Sequence, residues 1–175
     1  MAGSSRDPSP AERQVIELFD AFRDRLLRYA LSLGLSVHDG EEVIQEVFLA
    51  LFRHIHLGRP RHNLRGWIFR VAHNLALKQR QSNHKLESWQ QPDFVLARKH
   101  QDSSLNPEEQ IISDQRRERL RAVLRALPEQ DQRCLCLRAE GLRYREIADV
   151  LNMSLGAVSI SLTRSLARLG RADGD

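Results

Sequence analysis

The sequence predicts an all-α protein of two small helical modules joined by a flexible linker. Three observations carry this. Apolar residues recur at i, i+3, i+4 and i+7 through most of the 175 residues. Several of these stripes open on a capping residue and stop at Gly or Pro. Residues 82–106 are polar and lose the periodicity, which divides a first module at 9–81 from a second at 107–170.

Residues 1–8 are polar and Pro-containing, a composition expected to be disordered. Ser9-Pro10-Ala11-Glu12 then starts a helix. Ser9 caps it, Pro10 tolerates the first helical position, and Glu12 closes a capping box. Val15, Leu18, Phe19, Phe22, Leu26 and Tyr29 continue its stripe to a stop at Gly34. Asp39 reads as the cap of the second helix, with Glu41 and Glu42 in the first turn where the dipole favours acids. Val43, Ile44, Val47, Phe48, Leu51, Phe52 and Ile55 point inward; Glu42, Gln45, Glu46, Leu49 and Arg53 share the opposite face. His56 to His62, HLGRPRH, is a loop by its Gly and Pro. Asn63 caps a third helix whose inward stripe is Trp67, Ile68, Val71, Ala72 and Leu75. Arg70, His73, Asn74, Lys78, Arg80 and Gln81 take its other faces.

Within 82–106 the apolar patch is Phe94-Val95-Leu96. Asn106-Pro107-Glu108-Glu109 restarts helix with a cap, a Pro and a capping-box Glu. Ile111, Ile112, Leu120, Val123, Leu124 and Leu127 supply its apolar face. Arg116, Arg117, Arg119 and Arg121 interleave with Asp114 and Glu118, the pattern of a solvated, salt-bridged face. Pro128 ends that helix and Glu129 to Ala139 form the next. Tyr144 to Leu151 is a short helix with Ile147, Ala148 and Leu151 on one face, broken by Asn152-Met153-Ser154. Ser154 caps a last helix from Leu155 to Leu169, with Val158, Leu162, Leu166 and Leu169 in one stripe.

Two short helices across a three-residue turn, with Ala148 small enough for close crossing, make a helix-turn-helix. Its second helix is the one such motifs place in a DNA major groove, N-terminal end leading. Ser154, Gly156, Ser159, Ile160, Thr163, Arg164, Ala167 and Arg168 lie on its start and outward face. A plain hairpin within a bundle has the same spacing, so spacing alone leaves both readings open.

Charge is uneven beneath a net +4. Residues 51–90 hold eight Lys+Arg against one Asp+Glu, whereas residues 1–50 hold five against nine. A basic middle behind an acidic start suits two partners of opposite character, one of them a polyanion. Hydrophobic content of 41% and charged content of 29% are ordinary for a soluble protein. No apolar run approaches the roughly 18 residues of a membrane span. The start lacks the apolar core of a secretory signal, so a cytoplasmic location is expected. Cys134 and Cys136 are the only cysteines; a CxC pair in a helix points to two faces and reads as structural thiols. No phosphate loop, metal spacing or nucleophile–base pair supports an enzyme, and no cofactor is expected.

Specific motifs then point to a family. Leu127-Pro128, Glu140-Gly141-Leu142, Tyr144, Glu146-Ile147-Ala148 and Gly156-Ala157-Val158 with Leu162 resemble region four of bacterial extracytoplasmic-function sigma factors. Glu41 to Leu49, EEVIQEVFL, is similar to that family's Asp-Leu-Val-Gln-Glu-Val-Phe-Leu motif in region two. Trp67 to Asn74 resembles its Trp-Leu-x-x-Ile-Ala-x-Asn. Asn152 stands where the family usually has Gly, and Asn tolerates the left-handed turn. Ser159, Ile160 and Ser161 stand where the family usually presents Lys or Arg.

The resemblance implies a non-catalytic initiation factor. Glu42, Gln45, Glu46, Leu49 and Arg53 would bind the clamp coiled coil of the largest subunit of core RNA polymerase. The HLGRPRH loop would capture an unstacked promoter base, with Arg59 and Arg61 neutralising backbone. Asn74, Lys78 and Arg80 are the further expected DNA contacts of region two. Ser154, Gly156, Ser159, Ile160, Thr163, Arg164 and Arg168 would read the upstream element, Ile160 against a thymine methyl. Trp67 is expected in the core. An anti-sigma factor is a further implied partner, and location on the nucleoid would follow from polymerase. The alternative is a sigma-like protein that binds an anti-sigma factor or polymerase without promoter recognition, which the missing cations favour.

Overall fold

The structure, a computed structural model, describes residues 7–86 and 106–174. Seven helices are present among them: α1 (Pro10–Ser32), α2 (Val37–His56), α3 (Leu64–Leu86), α4 (Pro107–Arg125), α5 (Glu129–Ala139), α6 (Tyr144–Leu151) and α7 (Leu155–Gly174).

The first module is α1, α2 and α3. The Ser9 capping box forms as expected, with Glu12 N–H to Ser9 Oγ at 3.2 Å and Ser9 N–H to Glu12 Oε2 at 2.6 Å. Gly34, at φ 94°, turns the chain out of α1. Val47, Leu51, Ile68 and Phe69 have no exposed surface and form the middle of the module, and Phe19 meets Phe48 edge-on at 5.0 Å. Side chains of this kind contribute about 1.5–3 kcal/mol each on full burial. Deeper along α1, the Tyr29 hydroxyl and His73 Nδ1 are hydrogen-bonded at 2.8 Å and tie α1 to α3.

In the second module α4, α5 and α6 all pack on α7, and Leu137, Leu142, Ile147, Val158 and Leu162 are fully buried. Asn152 adopts φ 52°, ψ 49°, the left-handed turn that reverses the chain between α6 and α7. Ser154 Oγ accepts from Ala157 N–H at 3.1 Å, the expected cap of α7. The modules also pack on each other. α3 lies against α6 and α1 against α5, and the buried apolar side chains of both join in one cluster.

Several expectations need correction. The cap of α2 is Ser36, not Asp39: its hydroxyl accepts from Asp39 N–H at 3.1 Å. The Asp39 carboxylate instead accepts from Gln79 and Asn83 of α3, at 3.3 and 2.9 Å. Phe52 is exposed rather than inward and stacks on His56. His73 is buried rather than outward, because Tyr29 of α1 packs against it, hydrogen-bonded at 2.8 Å. α3 runs on to Leu86, so residues 82–86 of the expected linker are helical. Phe94-Val95-Leu96, with the rest of 87–105, lies outside the described residues. Leu124 at the end of α4 and Leu127 after it are buried, but Ile111 and Ile112 of α4, which packs chiefly on α7, are exposed. On α7 the inward row turns from Leu162 to Ser165 rather than to Leu166, which is 54% exposed. Ser161 and Ser165 are the small polar residues buried on this side of α7.

Candidate nucleic-acid and partner interfaces

α2 presents its outer face cleanly. Glu42, Gln45, Glu46 and Arg53 are exposed, and Leu49 is 58% exposed among them. Phe52 and Leu57 extend the same side, so the face carries an apolar strip between acids and a terminal Arg. Membership of Phe52 was missed because a helical stripe that wide places position 52 at its edge.

The loop after α2 is exposed from Leu57 to Asn63 and is pinned at three points. His54 Nε2 donates to the Pro60 carbonyl at 2.8 Å. Arg61 donates to Gln14 Oε1 on α1 at 2.9 Å. Asn63 sits at φ 55° and its Oδ1 accepts from Gly66 N–H at 3.2 Å, which caps α3. Arg59 is exposed at the tip. Trp67 is half-buried beneath the loop, against the His54 ring at 4.7 Å. Asn74 and Lys78 are exposed on α3. Arg80 is not free: its guanidinium pairs with Glu129 of α5, and that hydrogen bond holds the Glu129 carboxyl below the usual carboxylate range.

On the helix-turn-helix, Ser154, Gly156, Ile160, Thr163 and Arg168 are exposed and Ser159 is half-buried. Arg164 is engaged. Its Nε and Nη2 reach both carboxylate oxygens of Asp131 at 2.7–3.1 Å, and Ser161 Oγ donates to the same carboxylate at 2.7 Å. Asp131 is 3% exposed, so a buried acid neutralises one of the two arginines expected to meet phosphate. Ser161 faces inward to serve it and is therefore not a missing DNA contact. Sequence reading missed this triad, because nothing in the sequence links α5 to a residue 33 positions later.

The modules meet through further ion pairs the sequence did not indicate. Glu140 takes a bidentate pair from Arg28 at 2.9 and 3.0 Å, with Arg25 at 3.5 Å. Glu146 takes another from Arg65 at 2.7 and 3.2 Å. Burial pushes the Glu146 carboxyl up, but Arg65 and the Arg143 amide pull harder and leave it below its usual value. Between the modules lies a groove of about 1200 Å³. Phe22, Asn63, Leu64 and Arg65 line one side; Arg143, Tyr144, Arg145, Leu155, Gly156 and Ser159 line the other. No helix among the described residues is long and apolar enough to cross a membrane, and none of their His, Cys, Asp and Glu cluster as metal ligands.

This geometry defines an all-α protein of two modules, the second built on a helix-turn-helix. Residues 18–85 match the family model for Sigma-70 region 2, and residues 117–169 that for Sigma-70 region 4. The chain is 32% identical over 155 residues to the ECF RNA polymerase sigma factor SigE of Mycolicibacterium smegmatis, covering 87% of this chain and 59% of that protein. It is 34% identical to the ECF RNA polymerase sigma factor ShbA of Streptomyces griseus, covering 84% and 76%. It belongs to the extracytoplasmic-function sigma factors. Two solved structures share its fold. One is CnrH in complex with the cytosolic domain of CnrY, with TM-score 0.60, 21% identity, and 91% and 86% of the chains covered. The other is the sigma factor RpoE with the anti-sigma factor NepR from Bartonella quintana, with TM-score 0.61, 17% identity, and 89% and 96% covered.

Proposed function

We propose that this sigma factor binds core RNA polymerase through the outer face of α2 and directs it to promoters. Region two would melt the downstream element with the Arg59–Arg61 loop, Asn74, Lys78 and Arg80. The helix-turn-helix would read the upstream element through Ser154, Gly156, Ser159, Ile160, Thr163, Arg164 and Arg168. The observation that carries the reading is the α2 face, where Leu49 stands exposed between Gln45, Glu46 and Arg53 in the helix that bears the region-two motif. A solvated helix face has no need of an apolar centre, whereas a docking face does. Work in the cytoplasm, on the nucleoid, follows from that partner. An anti-sigma factor is proposed as a regulator, by likeness to the RpoE–NepR complex.

A second reading, a sigma-like protein without promoter recognition, gains from the Asp131–Arg164 pair. That pair takes charge away from a recognition helix already poor in cations. Run-off transcription separates the two. Purified protein and bacterial core polymerase on genomic promoter fragments should give discrete transcripts. Polymerase binding with no transcript on any fragment would establish the second reading.

A further inference from the structure

One arginine of α7 is held by the protein itself before any DNA arrives. Asp131, the third residue of α5, has only 4% of its side chain exposed and turns both oxygens toward α7. Arg164 Nη2 donates to Oδ1 at 2.9 Å and to Oδ2 at 2.7 Å, and Nε donates to Oδ2 at 3.1 Å. Ser161 Oγ, from the preceding turn of α7, donates to Oδ1 at 2.7 Å and steadies the carboxylate in turn. The Arg164 side chain is nonetheless 49% exposed. It follows Thr163 directly and Ile160 by one turn on the outward face of the helix, and both of those are exposed.

Such a pairing weakens one kind of DNA contact and favours another. Attraction to phosphate follows net charge; the Asp131–Arg164 pair carries none, so it releases few counterions. Reading a base follows the number and direction of hydrogen-bond donors. A planar guanidinium keeps its donors when its charge is offset. Asp131 takes the Nε–Nη2 edge, and Nη1 donates to no protein atom among the described residues. The end of the guanidinium away from Nε is thus left for an outside acceptor. Of the four bases, only guanine puts two adjacent acceptors, O6 and N7, on its major-groove edge. Adenine and cytosine place an amino donor there, and thymine a single acceptor beside its methyl group. Fixing the side chain beforehand also removes rotamer freedom that a loose cation would lose on binding. Arg168, one turn later, makes no ion pair among the described residues and keeps its full charge for phosphate.

We propose that Asp131 is a specificity-determining positioning residue, which turns Arg164 from a phosphate-binding cation into a fixed donor that reads one guanine of the upstream promoter element. This rests on the promoter-reading function proposed above. On it, the charge missing from the recognition helix is exchanged for base discrimination.

The experiment uses the full chain, bound to bacterial core polymerase, as wild type, Asp131→Asn, Ser161→Ala, Arg164→Lys and Arg168→Ala. Each holoenzyme selects from promoter-length duplexes of random sequence, and sequencing gives the preference for every base at every position. Salt slopes are then measured on the sequence the wild type selects. Wild type should prefer guanine by about 10-fold at one upstream position. Arg164→Lys keeps the charge and loses the fork, so that preference should fall about 5-fold with the salt slope unchanged. Asp131→Asn should lose the same preference and no other, while its salt slope steepens because the arginine charge is released. Ser161→Ala removes only the bond that steadies the carboxylate and should cost about 3-fold at that position. The role of Asp131 therefore stays testable if Asp131→Asn does not fold. Arg168→Ala should weaken all sequences alike. A guanine preference unmoved in Arg164→Lys, or unmoved in Ser161→Ala and in folded Asp131→Asn, would overturn the proposal. So would a loss spread evenly over every position in variants that circular dichroism shows to be folded, which is what a merely structural contact gives. A wild type that selects no sequence at all would refute promoter reading itself, and this assignment with it. Selection that persists with its guanine preference unmoved would refute this assignment alone.

Discussion

Acidification should weaken the first module through a single histidine. His73 lies 6% exposed between α1 and α3. Burial, helped by the nearby Arg133 charge, depresses its pKa from 6.5 to about 4. In the fold the buried ring is neutral and its Nδ1 shares a hydrogen bond with the Tyr29 hydroxyl at 2.8 Å. The unfolded chain takes up a proton as pH falls through 6.5 while the folded one does not until about 4. The contribution is therefore complete above pH 6.5 and is lost progressively below it. At about 1.36 kcal/mol per pKa unit the full window is worth about 3 kcal/mol, of which about 2 kcal/mol is gone at pH 5. Glu129, Glu146 and Asp39 have lowered pKa values, so their loss of stabilisation lies chiefly at more acid pH, around and below their unfolded values of 4.5 and 3.8. Urea unfolding followed by circular dichroism at pH 7.5 and 5.0 isolates the histidine. Wild type should lose about 2 kcal/mol between the two, a large part of the stability of a module this size. His73→Asn, which places a non-titrating amide near Nδ1, should lose much less. A wild type as stable at pH 5.0 as at 7.5, or a variant that falls as far, would refute the reasoning.

Three further outcomes concern the proposed interfaces. Glu46→Lys reverses charge on the exposed face of α2 and should weaken polymerase capture in a pull-down by about 10-fold; wild-type capture would remove that role from the face. Arg168→Ala should lower the salt slope of promoter binding by about one. Arg164→Ala should lower it by clearly less, because Asp131 already neutralises that guanidinium; equal slopes would show that the pair opens on DNA. Arg59→Ala with Arg61→Ala should leave closed-complex binding largely intact and slow promoter opening about 10-fold, read by permanganate reactivity of promoter thymines. Unchanged opening kinetics would exclude the loop.

Local chemistry was legible in the sequence wherever a residue's role is decided within a turn or two. The Ser9 box, the Ser154 cap and the left-handed Asn152 all form as read, because each depends on neighbours three or four positions away. The outward face of α2 was legible for the same reason: a 3.6 period separates Leu49 from Val47 and Phe48 with no knowledge of the fold. What failed to show was whatever a second helix decides. Asp39 reads as a cap, but Ser36 competes for the same task and Gln79 and Asn83 arrive from α3 to use the carboxylate. His73 reads as surface until Tyr29 arrives from α1 to pack on it. Arg164 reads from sequence as a phosphate contact and Ser161 as a position where the family's cation is missing. They are instead two arms of a single buried acid.

The same reasoning explains why the charge pattern misled in part. The excess of Lys and Arg over residues 51–90 suggested a surface waiting for a polyanion. Two of those cations, Arg65 and Arg80, are spent on glutamates of the other module, so the free protein carries less open positive charge there than its sequence implies. A polyanion must displace carboxylates to use them. Electrostatic binding through Arg65 and Arg80 should therefore be weak while those two pairs hold. On α2 the ion pairs among the described residues are Arg23–Glu41 and His38–Glu42. Both lie in the first turns of α2, and the second engages Glu42 of the proposed docking face. The cations of 51–90 that remain exposed are Arg53, Arg59, Arg61, Arg70, Lys78 and Lys85, so a polyanion meets these first.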